Sequence, residues 1–102
     1  MIGGRSMARL PPRWESYFFR TAAGAEIDLV LARSGGKPFA VEIKYSVAPQ
    51  VGKGFRSACL DLQCGREYVV YPGSEVYPLS ETTTALPLQQ IQRIINDMNS
   101  LR

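Results

Sequence analysis

Four charged side chains in two neighbouring apolar runs have the types and spacing for phosphoryl chemistry. Glu26 and Asp28 interrupt "AEIDLVL", and Glu42 and Lys44 interrupt "FAVEIK". Mg²⁺ is usually held by one or two carboxylates plus waters, which leaves positions for a substrate phosphate. Such an ion, Mg²⁺ or Mn²⁺, polarises a phosphoryl oxygen and acidifies a water, while a lysine orients that water or stabilises the developing charge. Asp28 and Glu42 are the candidate metal ligands and Lys44 the candidate catalytic cation, in a phosphodiester hydrolysis that needs no histidine. The chain has none.

The two runs must pair in one register for this to work. Ser34-Gly35-Gly36 suits a three-residue hairpin loop with a glycine at the left-handed position, pairing Arg33 with Lys37. Continued antiparallel, that register sets Asp28 opposite Glu42 and Glu26 opposite Lys44. A loop one residue shorter would put Asp28 opposite Ile43 and mix charged with apolar faces. Like charges directly opposite cost up to about 1 kcal/mol, and a shared cation would offset that repulsion. The same residues also describe a solvated sheet face with a Glu26–Lys44 ion pair and two exposed carboxylates.

Alternation predicts the strands. Ile27, Leu29 and Leu31 share one face against Glu26, Asp28 and Val30; Phe39, Val41, Ile43 and Tyr45 share one against Ala40, Glu42 and Lys44. Each strand is thus expected to separate an apolar face from a charged one. Tyr17 to Phe19 reads as a preceding strand, turned at Thr21 to Gly24. After Pro49 the spacing of Val51, Phe55, Ala58, Cys59 and Leu62 predicts a helix closing near Gly65. Glu67 to Tyr71 and Glu75 to Leu79 read as strands, the second at a sheet edge because of Pro78. Thr82 to Thr84 favours extended chain. A last helix is expected from Pro87, with Leu88, Ile91, Ile94, Ile95, Met98 and Leu101 as its apolar stripe. The order predicts an α+β or mixed α/β sandwich around a central sheet.

At 102 residues the chain holds one domain. Residues 1–13, with Gly3, Gly4 and Pro11-Pro12, read as a flexible leader and residues 14–102 as the domain. No apolar run approaches the ~18 residues needed to span a bilayer, and no signal segment is present, so no membrane role and a cytoplasmic location are expected. Cys59 and Cys64 lack the partners for a structural zinc site and are expected as reduced thiols. Of the net charge of +3, all is concentrated in the first twenty residues, where Arg5, Arg9, Arg13 and Arg20 face Glu15 alone. The aromatics Trp14, Tyr17, Phe18 and Phe19 suit the core better than base stacking.

An acidic residue on one strand, then Glu42-Ile43-Lys44 on the next and a helix after it, resembles the PD-(D/E)XK, or restriction-endonuclease-like, core. "YFFRTAAGAEIDLVL", "FAVEIKYS" and "VYPLSETTTALPL" together resemble the C-terminal domain of unknown function of a large family of prokaryotic AAA-type ATPases. The resemblance runs from about Pro11 to about Gln90. It implies a nuclease-like mixed sheet flanked by helices, with Asp28 and Glu42 as metal ligands and Lys44 as catalytic lysine. Glu26 matches an acidic position usual in the ATPase-linked group, a supporting catalytic residue, and Ser46 the small hydroxyl residue common after the lysine. The family core normally opens with a helix; here only the proline-containing segment precedes the first strand. Neither Gly35-Gly36-Lys37 nor Gly52-Lys53-Gly54 fits a GxxxxGK[ST] phosphate loop, so the chain is not itself the ATPase.

Two functions follow as expectations. One is a Mg²⁺- or Mn²⁺-dependent nuclease or nuclease-derived domain acting on DNA or RNA, with Lys53, Arg56 and Ser46 as contacts to nucleic acid. The other is a non-catalytic regulatory or interaction module, coupled to an AAA-type ATPase module or to a second copy of the chain.

Overall fold

The structure, a computed structural model, describes residues 10–101. Residues 1–9, most of the expected leader with Arg5 and Arg9, lie outside the described residues. Leu10 already packs against the core. Strands β1 (Trp14–Arg20), β2 (Glu26–Arg33) and β3 (Phe39–Ile43) precede helix α1 (Lys53–Leu62). After it come β4 (Arg66–Tyr71), β5 (Tyr77–Pro78) and β6 (Thr83–Pro87), a 3₁₀ turn over Leu88–Gln90, and helix α2 (Gln92–Ser100). The strands form a single sheet in the order β1-β2-β3-β4-β6-β5. The first three run antiparallel, β3, β4 and β6 are parallel, and β5 closes the far edge antiparallel to β6. This is the expected mixed sheet flanked by helices, with β6 as a strand beyond those in the predicted order.

Two clusters, one on each face, hold the layers together. Under α2 lie Phe39, Val41, Tyr68 and Val70 with Ile94 and Met98; under α1 lie Ile27, Val30 and Ala40 with Phe55, Ala58 and Cys59. Both faces of β2 and β3 are therefore covered, which corrects the expectation of one charged face. The parallel β3-α1-β4 crossover places a helix on one face, and α2 covers the other, so the central strands are apolar on both sides.

A bulge in β2 accounts for a second correction. Tyr17 pairs with Val30 and Phe19 with Ile27, so Asp28 and Leu29 stand opposite Phe18 alone. The extra residue shifts the facing of β2: Leu29 and Leu31 keep to the α2 side, but Ile27 joins Val30 under α1. Ile43 and Tyr45 are likewise not core residues. The strand ends at Ile43, and both side chains emerge into solvent.

The hairpin between β2 and β3 forms as its glycines predict, with Gly35 at φ +80°. Helix α1 starts from an extended Gly52 without a side-chain cap and ends at a left-handed Gln63. There the Cys64 N–H donates to the Cys59 carbonyl at 3.0 Å, as in a Schellman cap. Both cysteines are free thiols. Helix α2 begins at Gln92, not at Pro87, because Pro87 is still extended (ψ 143°) and closes β6 opposite Tyr71. The intervening 3₁₀ turn, with three residues per turn, leaves Leu88 and Ile91 exposed while Ile94 and Met98 are buried.

The start of α1 sits directly on the β1–β2 turn. A β-carbon at Gly54 would lie 2.5 Å from the Gly24 carbonyl oxygen, against backbone that cannot swing away. Gly54→Ala is expected to destabilise the domain by about 1 kcal/mol or more, because the clash (about 1–3 kcal/mol) exceeds the ~1 kcal/mol alanine gains within a helix. A lowered urea midpoint at unchanged slope checks this.

Candidate active site

The ladder between β2 and β3 pairs Leu31 with Phe39, Val30 with Ala40 and Leu29 with Val41. Its next rung is Asp28 and Glu42, the register predicted from the loop. The bulge sits at that rung, and instead of a backbone partner the Ile43 N–H finds Asp28 Oδ2 at 2.9 Å. Bulges re-aim side chains in this way. Alternation from the buried Ala40 turns Glu42 toward the α1 side of the sheet, and its side chain is only 15% exposed.

Lys44 lies just past the end of β3, held in line by its N–H to the Val70 carbonyl at 2.9 Å. Its Nζ stands 3.4 Å from Glu42 Oε2. The other oxygen, Glu42 Oε1, is buried and accepts no hydrogen bond. Burial, followed by repulsion from the Asp28 carboxylate, pushes Glu42 above its ordinary pKa of 4.5, against the opposing pull of Lys44. A buried carboxylate oxygen with no donor costs about 1–3 kcal/mol, and a divalent cation is the partner such a pair of acids suits. The residues present fit an oxygen-liganded Mg²⁺ or Mn²⁺ held by Asp28 and Glu42. Among the described residues no set of three or more acidic, histidine or cysteine side chains converges, so these two would share the ion with water and substrate.

The other sequence-predicted residues are placed differently. Glu26 does not pair with Lys44: its carboxylate meets Arg20 Nε at 3.4 Å, both side chains largely in solvent. The bulge accounts for this, since it ends regular pairing before Glu26 can face Lys44, and the hairpin instead sets Glu26 opposite Arg20. Ser46 Oγ accepts the Ala48 N–H at 3.0 Å and shapes the turn after Lys44. Lys53 is exposed in the first turn of α1, at the same end of the sheet as the carboxylates. Arg56 instead lines a hollow of about 380 Å³ with Leu60, Glu67 and Thr83, where Glu67 Oε1 accepts the Thr83 hydroxyl at 2.7 Å. Of the aromatics expected in the core, Trp14 is buried and Tyr17 and Phe19 pack partly buried against the cluster under α1, whereas Phe18, opposite the bulge, is exposed.

Alternation places Tyr45 on the apolar face of β3 and singles out no role for Val47, so sequence reasoning misses both. They project 91% and 74% exposed from the segment that follows Lys44. The signal for them is Pro49 and the Ser46 turn, which stop the alternation before it can bury Tyr45.

A mixed sheet with a helix on each face thus brings the start of antiparallel β2 to the carboxyl end of β3, where Asp28, Glu42 and Lys44 gather, and open α/β sheets carry their ligand crevices at the carboxyl ends of parallel strands. Residues 2–91 match the family described as Domain of unknown function (DUF4143), and the chain belongs to that family. Uncharacterized proteins of Mycobacterium tuberculosis and Mycobacterium bovis are each 44% identical to it over 75 residues, which is 74% of this chain and 17% of theirs. The chain thus spans about a sixth of the length of these relatives. No solved structure matches it. No helix among the described residues is long and apolar enough to cross a membrane.

Proposed function

We propose that this domain is a metal-dependent phosphodiesterase of the PD-(D/E)XK, restriction-endonuclease-like kind, acting on nucleic acid. The observation that carries the reading is the buried, donor-free Glu42 oxygen beside Asp28 and Lys44. A sheet seldom retains such a group unless a ligand completes it. When bound, Mg²⁺ or Mn²⁺ would supply Lewis-acid stabilisation of charge on a phosphoryl group. Asp28 and Glu42 hold the ion, and the Ile43 N–H fixes the Asp28 carboxylate for that task. Lys44, still one-third exposed, reaches the phosphate and stabilises its developing charge. Lys53 and the Ser46 hydroxyl contact flanking phosphates, and Glu26 adds negative charge at the rim without acting as a ligand.

Titration calorimetry with Mn²⁺ tests the metal first. Binding to the wild type and its loss in Asp28→Ala are expected, followed by cleavage of DNA or RNA that Lys44→Ala lowers at least about 100-fold. A folded wild type that binds no Mn²⁺ overturns the catalytic reading. A second reading, a non-catalytic module serving an AAA-type ATPase, draws support from the small share of the relatives that the domain covers. It predicts a folded domain that neither binds Mn²⁺ nor cleaves.

A further inference from the structure

Beyond Lys44 the chain carries groups that metal chemistry alone does not use. Between Ile43 and Leu60 stand Lys44, Lys53 and Arg56 and not one carboxylate, so this stretch is basic throughout. Interleaved with its first lysine are Ile43, Tyr45 and Val47, all exposed. The Tyr45 ring stands free of the fold on a segment that is nevertheless held, by Ser46 Oγ at Ala48 and by the buried Pro49 behind it.

Val47 also walls an open hollow of about 610 Å³ together with Tyr71, Gly73 and Tyr77. The hollow is built, not incidental. The Tyr71 hydroxyl donates to the Glu75 carbonyl at 2.7 Å and accepts the Glu75 N–H at 3.2 Å, and its ring stands edge-on to Tyr77 at 5.9 Å. Gly73 lies so close under the Tyr71 ring that any β-carbon there would collide with it. Val47 thus links the segment that carries Lys44 and the free Tyr45 ring to a hollow fixed by Tyr71 and Tyr77, at the carboxyl ends of β3 and β4, where open sheets bind ligands.

From this we infer that Tyr45, Val47 and the mouth of the Tyr71–Tyr77 hollow bind an unpaired segment of nucleic acid, with a base stacked on the exposed Tyr45 ring, its neighbour against Val47 and the half-buried Tyr77, and phosphates along Lys44 and Lys53. The inference rests on the nucleic-acid reading above and deepens it by naming the form of the substrate. Stacking on aromatic side chains needs exposed base faces, which a duplex hides and a single strand offers irrespective of sequence. Glu75, which also lines the hollow, repels phosphate there and sets the polarity: backbone toward the lysines, bases toward the tyrosines.

Fluorescence anisotropy with labelled oligo-dT, and with a duplex of equal length, tests this in EDTA so that neither metal nor cleavage enters. The single strand is expected to bind more tightly than the duplex. Tyr45→Ala should weaken it about 10-fold while Tyr45→Phe restores it; at 91% exposure neither change touches the core. With two phosphate contacts the logarithm of affinity should fall with that of salt at a slope of about −1.4, reduced to about −0.7 in Lys53→Ala. Equal or tighter binding of duplex, no binding of oligo-dT, or full affinity in Tyr45→Ala overturns the inference. Oligo-dT binding by a protein that takes up no Mn²⁺ would leave it standing while the catalytic reading fails, and Mn²⁺ binding with an inert Tyr45 would do the reverse.

Discussion

Glu42→Gln should abolish metal binding and at the same time make the metal-free domain more stable. The carboxylate is buried, lacks a donor on Oε1 and faces Asp28; the isosteric amide removes the charge and presents an N–H₂ to that neighbour. Lys44 loses its partner but, at 36% side-chain exposure, is rehydrated at small cost. The expected gain is about 1 kcal/mol in urea unfolding under EDTA, alongside a loss of Mn²⁺ affinity of at least about 100-fold in calorimetry, more than a ligand's supporting partner costs. A purely structural glutamate would behave oppositely, with lost stability and unchanged response to Mn²⁺.

The pH dependence has a definite sign. Folding raises the pKa of Glu42 above 4.5, so in the window between 4.5 and the folded value the native state binds the extra proton. The stability this group contributes is fully present below 4.5 and lost as pH rises through the folded pKa. The difference in stability between wild type and Glu42→Gln should therefore shrink as the solution is acidified through that window. Because the ion needs the deprotonated carboxylate, Mn²⁺ uptake should release protons and weaken over the same range.

The second large effect lies in the core beneath the site. Phe39→Ala is expected to cost about 3–5 kcal/mol, a large share of the roughly 5–15 kcal/mol that holds a domain of this size. Phe39 is 1% exposed at the start of β3, with Trp14 edge-on at 5.1 Å and Tyr68 at 6.0 Å. Truncation leaves a cavity lined by two large rings, Trp14 fixed on β1 and Tyr68 on β4 next to β3, which cannot collapse to fill it. The urea midpoint should fall accordingly, whereas Leu60→Ala on the outer side of α1, a residue 73% exposed, should change stability by no more than about 0.5 kcal/mol. Since Glu42 follows Phe39 by three residues on one strand, Mn²⁺ affinity in Phe39→Ala should decline only as the folded fraction does.

What the amino-acid sequence determined alone is what local rules govern. Two-residue alternation and a glycine loop of set length bring Asp28 to the rung of Glu42, because a one-residue slip would invert every side chain of the strand. Gly35 takes its left-handed position for the same local reason, and the helical stripe of α1 and the edge position of β5 follow from spacing and Pro78. Covering both faces of the sheet was a tertiary decision, since it depends on where α1 and α2 dock. So was the bulge opposite Phe18, which moves Ile27 under α1, sends Glu26 to Arg20 and leaves Lys44 to Glu42. The same packing buries one Glu42 oxygen without a donor and ends β3 before Tyr45 can be buried. Alternation reports which residues share a strand face, but whether that face meets a helix, a neighbouring carboxylate or water is set by contacts among residues far apart in the chain.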